Sequence, residues 1–408
     1  MFDSIQLALS GMVGYQRGLD VISNNVSNIN TPGFRGSNVE FVDLFGGKPT
    51  DGSGDQPVGA GVDSSRTVLS DAPGTTQQTG RDLDLALSGP GFFVLQNPAG
   101  VTSYTRNGSF EFDTDHNLIL SSQNVGATTL QPEKVMALNA NGQLSPINIQ
   151  ALLQNAAKPT TTVSFKDNLS PSDPDFTISS VTIVDPNGGS HAVQMIFSKD
   201  TTTPTAGAEV NWNVSLTENN VPVGAGELQF LNSEPEPGST LVPLTLTFTK
   251  APPMSVSFDF SGVQGNSTGA TTDGTTRNST MSVSQVDGFV AGVLTTEKFD
   301  EKGVLQLAYS NGQTVQGPTL ALADIQDQAG LIQEENSIFK YEGTAPVRLR
   351  VAGDDLTVKG QTLEASNVDL TTEFSKIILM QRGYQAASEV VSTANSLLQQ
   401  LIDMRGGK

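Results

Sequence analysis

The chain has 408 residues, more than one hydrophobic core accommodates, so two or three domains are expected. With 41 Gly, 21 Pro and only 6% aromatic residues, the composition points to short strands and many turns. A formal net charge of −20 argues against nucleic acid or an anionic membrane as partner. The absence of Cys excludes disulfides, thiolate metal sites and cysteine catalysis.

The chain opens on Ile5, Leu9, Met12, Leu19, Ile22, Val26 and Ile29, spaced by threes, fours and one seven, with Gln16 on the same line. That is a heptad seam, and it predicts a helix from about Phe2 to Ile29 that stops before Pro32. Gly11, Gly14 and Gly18 share a second face, each costing about 1 kcal/mol of helix propensity relative to Ala. We therefore expect two packing faces, one for the C-terminal helix and one for another subunit. Residues 31–80 show no lasting period, contain a turn-rich loop at 46–55, and are expected, with 359–369, to form a connecting segment, 31–80 holding axial contacts during bending.

Residues 81–150 alternate as strands, with Asn107-Gly108 and Asn141-Gly142 read as hairpin turns. Between about 155 and 284 five or more alternating strands, such as Val210/Trp212/Val214/Leu216, predict an inserted outer sandwich or barrel. Strands resume to about Val358, so 81–154 and 285–358 should make one discontinuous inner β domain. The C-terminal residues Leu370, Phe374, Ile377, Gln381, Tyr384, Val391, Leu398 and Leu401 repeat the heptad average. The fold class expected is multidomain, with all-β middle domains and paired terminal helices, 1–30 and 370–408, forming a coiled-coil-like core. These ends are near neutral, and residues 31–369 hold the charge. Isolated helices with this glycine content are marginal in water, so both ends should order on assembly.

No residue-level pattern supports catalysis. Asp113-Thr114-Asp115-His116-Asn117 opens like a calcium loop but has Leu118 where Gly is needed and Asn124 where Glu is needed, so a polar turn is the better reading. His116 and His191 lack companion ligands. Gly89-Pro90-Gly91 and Gly224-Ala225-Gly226 lack the Lys and helix of a phosphate loop and read as turns. No cofactor or metal is expected. No apolar run is long enough for a signal-peptide core or a membrane span, so export would follow an uncleaved route without membrane insertion.

Two further motifs carry a resemblance. Ser23-Asn24-Asn25-Val26-Ser27-Asn28-Ile29-Asn30-Thr31-Pro32-Gly33-Phe34-Arg35 resembles the N-terminal signature of the bacterial flagellar rod and hook proteins. Asn367-Val368-Asp369-Leu370, followed by Gln381-Arg382-Gly383-Tyr384, resembles the matching C-terminal signature, with Ala387 departing from the Asn usual there. Leu83–Leu87, Gly91-Phe92-Phe93 and Tyr104–Phe110 are similar to the family's shared β domain. Length and the inserted β domain resemble the hook branch. That resemblance implies a curved tubular homopolymer outside the cell, acting as a universal joint that transmits motor torque. It also implies rod, hook-cap and hook-filament junction proteins and the flagellar export apparatus as partners. A distal rod subunit, and more remotely a secreted carbohydrate-active β protein, are the other readings.

Overall fold

The computed structural model describes residues 2–45, 59–121, 132–201, 210–266, 269–270, 276–277 and 279–406. The loop expected at 46–55, Asn124 and much of the low-complexity stretch 265–280 lie outside the described residues. The chain divides into two compact units: Met1–Ala151 with Glu297–Leu307 and Val315–Lys408, and Leu152–Thr296 with Ala308–Thr314.

The first unit holds both helices, α1 (Phe2–Ser27) and α2 (Leu370–Gly406). Its largest sheet has ten strands and interleaves the two halves of the chain. Ile338–Tyr341 pairs with Thr102–Thr105, and Leu322–Asp324 pairs with Phe92–Gln96. Phe92, Val94, Tyr104, Met136 and Phe339 form a buried cluster on it, and Phe93 meets Phe110 edge-on at 5.0 Å. Two short pairs, Leu85–Ser88 with Thr357–Gly360 and Thr76–Gln78 with Thr362–Glu364, carry the returning chain toward α2.

The second unit is a sandwich. A five-stranded antiparallel meander runs from Asp175–Val184 through Ser190–Lys199, Val210–Glu218 and Val221–Leu231 to Glu234–Pro235. A four-stranded sheet is ordered Leu241–Leu246, Met254–Gln264, Thr162–Asn168, Ser282–Val286, with the middle two strands parallel. Alternate residues of both sheets enter one core, where Phe165 stacks on Phe260 at 4.8 Å and Phe197 meets Phe260 edge-on at 6.2 Å.

Two turns expected from sequence are corrected. Gly224-Ala225-Gly226 lies inside strand Val221–Leu231, where a Cβ on either glycine would come within 2.6 Å of Leu246 or Leu244. The glycines make room for leucines that pack across them. Asn107-Gly108 closes no hairpin. Phe110–Phe112 pairs with Leu118–Leu120, while the Gly108 carbonyl accepts from the Leu85 N–H at 2.9 Å, an approach that leaves no room for a Cβ. The Asp113–Asn117 segment is a polar turn: one Asp113 carboxylate oxygen accepts from the amides of Asp115 and Asn117, both at 2.8 Å.

In the second unit His191 lies between two carboxylates, Nδ1 2.8 Å from Glu218 and Nε2 3.2 Å from Asp185, and stacks on Phe248. Burial alone would lower its proton affinity, but the hydrogen bonds and charges of Glu218 and Asp185 outweigh it and raise the imidazole pKa. Unfolded histidine titrates near pH ~6.5, so this stabilisation is full below that value and disappears as pH rises through the raised folded value. The single tryptophan, Trp212, is in the same core and reports the unit's unfolding. Its fluorescence in denaturant should show a midpoint that falls as pH rises above about 6.5, a dependence lost in His191→Gln. An equal dependence in both proteins would rule out the histidine as its source.

Candidate assembly surface and its joint

The two helices run antiparallel. Asn25 reaches Glu373, Gly18 faces Met380, and Gly383 faces the ring of Tyr15. Among the described side chains of α1, Gly14, Gly18, Ile22 and Asn25 are the buried positions, stepping by four, four and three. Gly14 packs on Phe41 and Ser64, where a Cβ would lie 2.9 Å from the Phe41 ring. Of the three glycines expected to form a second face, Gly14 and Gly18 therefore serve the chain's own packing, whereas Gly11 meets Tyr15, at 3.9 Å, among the described residues. Glycine permits this approach because it brings no side chain, and the cost in helix propensity is offset by the contact.

The apolar seam takes the opposite role. Only Ile22 of the α1 series is buried; Ile5, Met12, Leu19, Val26 and Ile29 are half-buried, and Leu9 and Gln16 are exposed. On α2, Ile377, Val391 and Leu398 are half-buried, while Leu370, Phe374, Gln381 and Tyr384 are exposed. The inward side of α2 passes through Glu373, Met380 and Gly383, each one position before an expected residue, and farther along through Ala394 between the expected Val391 and Leu398. The Leu401 side chain lies outside the described residues. Outward-facing apolar side chains are large: Val13 is 63% exposed, Leu379 64% and Met404 83%, with Leu7, Ile378, Val390, Leu397 and Ile402 also exposed.

A buried polar joint sets how the helices leave the β structure. The Asn25 side chain pairs with the Ser37 backbone in both directions, at 2.8 and 2.9 Å, and donates to Glu373 at 3.1 Å. Asn24, Asn28 and Thr31 form a hydrogen-bonded chain that finishes α1. Gly33 has φ +67° and abuts Asn107, where a Cβ would lie 2.3 Å from its backbone nitrogen, so only glycine fits. Phe34 is buried behind it. The Asn367 amide accepts from Gly36 at 2.8 Å and donates to Ser70 and Ala72. Asp369 caps α2 by accepting from the Thr372 N–H at 2.8 Å, which holds its carboxyl below the usual range.

At the centre lies Glu364, 2% exposed. One of its oxygens accepts from Arg35 at 3.0 Å and Gly74 N–H at 2.9 Å, the other from Arg106 at 3.1 Å. Arg35 also donates to the carbonyls of Asp71 and Ala72, and Arg106 to that of Gly89 at 2.7 Å while lying over the Phe92 ring. Burial lowers the pKa of Arg106 to about 10; Glu364 opposes that shift and Arg35 adds to it. Burial likewise lowers Arg35, against Glu364 and Asp71. Both guanidiniums remain charged at neutral pH. Arg35 and Arg106 stood in motifs noted from sequence, but Glu364 did not; a lone carboxylate between Leu363 and Ala365 was its only signal.

Among the described residues no group of three His, Cys, Asp or Glu is placed to hold a metal ion, and no helix is long and apolar enough to cross a membrane. Removing Glu364 leaves two guanidiniums buried without their anion, so Glu364→Ala should lower unfolding stability by about 3–5 kcal/mol in denaturant titration. An unchanged midpoint would show the joint to be held by other contacts. The glycines separate in the same way: Gly383→Ala, whose Cβ would meet the Tyr15 ring at 2.5 Å, should lower the melting temperature of the helical signal of assembled tubes in circular dichroism. Gly11→Ala, with its nearest neighbour at 3.9 Å, should gain roughly 1 kcal/mol.

Comparison with known proteins agrees with this layout. Family models match three stretches: residues 5–35 as "Flagella basal body rod protein", 86–164 as "Flagellar hook protein FlgE/F/G D1 domain" and 359–404 as "Flagellar basal body rod FlgEFG protein C-terminal". The flagellar hook protein FlgE of Escherichia coli is 30% identical over 98% of this chain and 99% of its own length. That of Salmonella typhimurium is 29% identical over 98% and 100%. The crystal structure of Helicobacter pylori flagellar hook protein FlgE2 shares the fold, with a TM-score of 0.51 at 13% identity, covering 71% of this chain and all of that one. The chain belongs to the flagellar hook protein FlgE family.

Proposed function

We propose that this chain is the structural subunit of the bacterial flagellar hook, a curved tubular homopolymer that works as a universal joint between motor and filament. The observation that carries the reading is the outward apolar face of the helix pair, which no other part of the chain covers among the described residues. Fully burying a Val or Leu contributes about 1.5–3 kcal/mol, so a few such side chains per copy are enough to drive ordered stacking. Copies of the same chain are the natural cover, because their terminal helices are near neutral while the rest carries the −20 charge that keeps the outer layers apart.

The protein acts by position and not by catalysis. In this reading the terminal helices (1–30 and 370–408) line an inner tube, and the segments 31–80 and 359–369 connect them to the β domains outside it. A stiff inner tube with polar outer layers that slide suits bending with torque transmission. Rod, hook-cap and hook-filament junction proteins would be its neighbours in the flagellum, reached through the flagellar export apparatus without a cleaved signal peptide. A distal rod subunit differs in forming straight tubes, and full-length similarity to hook proteins favours the curved one.

Electron microscopy of the purified protein in kosmotropic salt should show curved tubes; straight tubes would favour the rod reading. Val13→Asp and Leu379→Asp, at exposed positions, should abolish tube formation while leaving the unfolding midpoint of the monomer unchanged. Tubes as abundant as those of the unmodified chain would remove the apolar face from the account.

A further inference from the structure

The sequence contains four Asn-Gly pairs, and three of them close turns of one design. In residues 139–143, 185–189 and 309–313 the first N–H donates to the fifth carbonyl at 3.0, 2.9 and 2.9 Å, and the N–H of the glycine in fourth place donates to the first carbonyl at 2.9, 3.0 and 2.9 Å. The glycines, Gly142, Gly188 and Gly312, have φ of +75°, +86° and +78°. Third in each turn stands the asparagine, Asn141, Asn187 or Asn311.

The turns differ in what they require of that asparagine. In the first two, the leading residue supplies the side-chain acceptor that the turn needs. Asn139 Oδ1 accepts from the amides of Asn141 and Gln143 at 3.1 and 2.9 Å, and Asp185 Oδ1 from those of Asn187 and Gly189 at 2.8 and 2.7 Å. The side chains of Asn141 and Asn187 are left exposed, with no hydrogen-bond partner among the described residues. The third turn begins with Tyr309, whose hydroxyl is spent on the Leu152 carbonyl at 2.7 Å. Asn311 takes over the acceptor's part: its Oδ1 accepts from the Gln313 N–H at 3.1 Å, and its Nδ2 donates to the Val290 carbonyl at 2.8 Å. The fourth asparagine, Asn107, is 5% exposed, and its Oδ1 accepts from the Ser109 N–H at 3.1 Å.

We infer that Asn141 and Asn187 are sites of spontaneous amide loss, and that the fold protects Asn107 and Asn311 from the same reaction. The glycine nitrogen attacks the asparagine Cγ, its proton departs with the side-chain nitrogen as ammonia, and a cyclic succinimide closes. Water then opens the ring at one carbonyl or the other, giving aspartate or an isoaspartate whose main chain runs through Cγ. Water is the only co-reactant, and a following glycine brings no side chain to hinder the attack. The attacking nitrogen is held alike in the three turns, so the freedom of Cγ decides between them. Asn311 must first break two hydrogen bonds, which slows it about tenfold or more. The reaction at 187 has a structural consequence as well. An isoaspartate there lengthens the main chain between the two amides held by Asp185 Oδ1, while Asp185 Oδ2 is one of the two carboxylate contacts of His191. Conversion of Asn187 therefore loosens the clamp on His191.

Peptide mapping by mass spectrometry, on the chain held folded at mildly alkaline pH, tests the assignment. Amide loss should accumulate at Asn141 and Asn187 at least about tenfold faster than at Asn107 and Asn311. In guanidinium chloride, where all four pairs lose their surroundings, the four rates should converge, which assigns the difference to the fold and not to neighbouring residues. Either Asn141 or Asn187 converting no faster than Asn311 in the folded chain contradicts the inference, as does a difference that persists in denaturant. The consequence at 187 has its own readout. After the same ageing, the unfolding midpoint reported by Trp212 should fall in the unmodified chain and hold in Asn187→Gln. Equal losses in both would overturn the link from Asn187 to Asp185 and His191.

Discussion

A carboxylate removed from water must be met by charge and by hydrogen bonds, and Glu364 imposes that requirement on much of the first unit. Its two oxygens engage Arg35, Arg106 and the amide of Gly74, and the arginines in turn engage carbonyls at 71, 72 and 89. Segments from both halves of the chain are thereby fixed to one point. Replacing such a cluster with apolar residues is often neutral for stability, so its value lies in geometry. The residue preceding the cluster, Gly33, and the residues following it, Asn367 and Asp369, set where α1 ends and α2 begins.

The helices that leave this joint divide their surfaces by side-chain size. Close approach requires glycine, so Gly18 and Gly383 face Met380 and Tyr15 across the pair, and Gly14 takes Phe41. The large apolar residues are consequently left outside, on a pair too slender to bury them. A two-helix hairpin has one inner line per helix, and here small residues occupy much of it. Among the described residues the remaining apolar stripe is left uncovered, as the proposed subunit of a tube requires.

Periodicity revealed the helices, because a heptad spacing survives any partner, and it revealed the outer sandwich, because strands such as Val210–Glu218 alternate cleanly between core and water. It did not reveal which helix face turns inward. Spacing defines stripes, whereas the choice between them depends on Tyr15, Phe41 and Met380, whose positions are long-range. Glu364 was illegible for the same reason: Arg35 and Arg106 are 329 and 258 positions away from it. Gly224 and Gly226 misled because glycine marks both turns and tight strand contacts, and only Leu244 and Leu246 on the neighbouring sheet distinguish the two. The parallel pairing of Thr162–Asn168 with Met254–Gln264 likewise leaves no local trace.

The central claim is that the joint is complete within one chain while the helix pair is completed only by other copies. Hydrogen exchange followed by mass spectrometry on the free chain and on assembled tubes tests it directly. Amides of α1 and α2 should exchange rapidly in the free chain and slowly in the tube, while those around Gly33, Gly74 and Glu364 stay slow in both. Helices equally protected in both states would contradict the account.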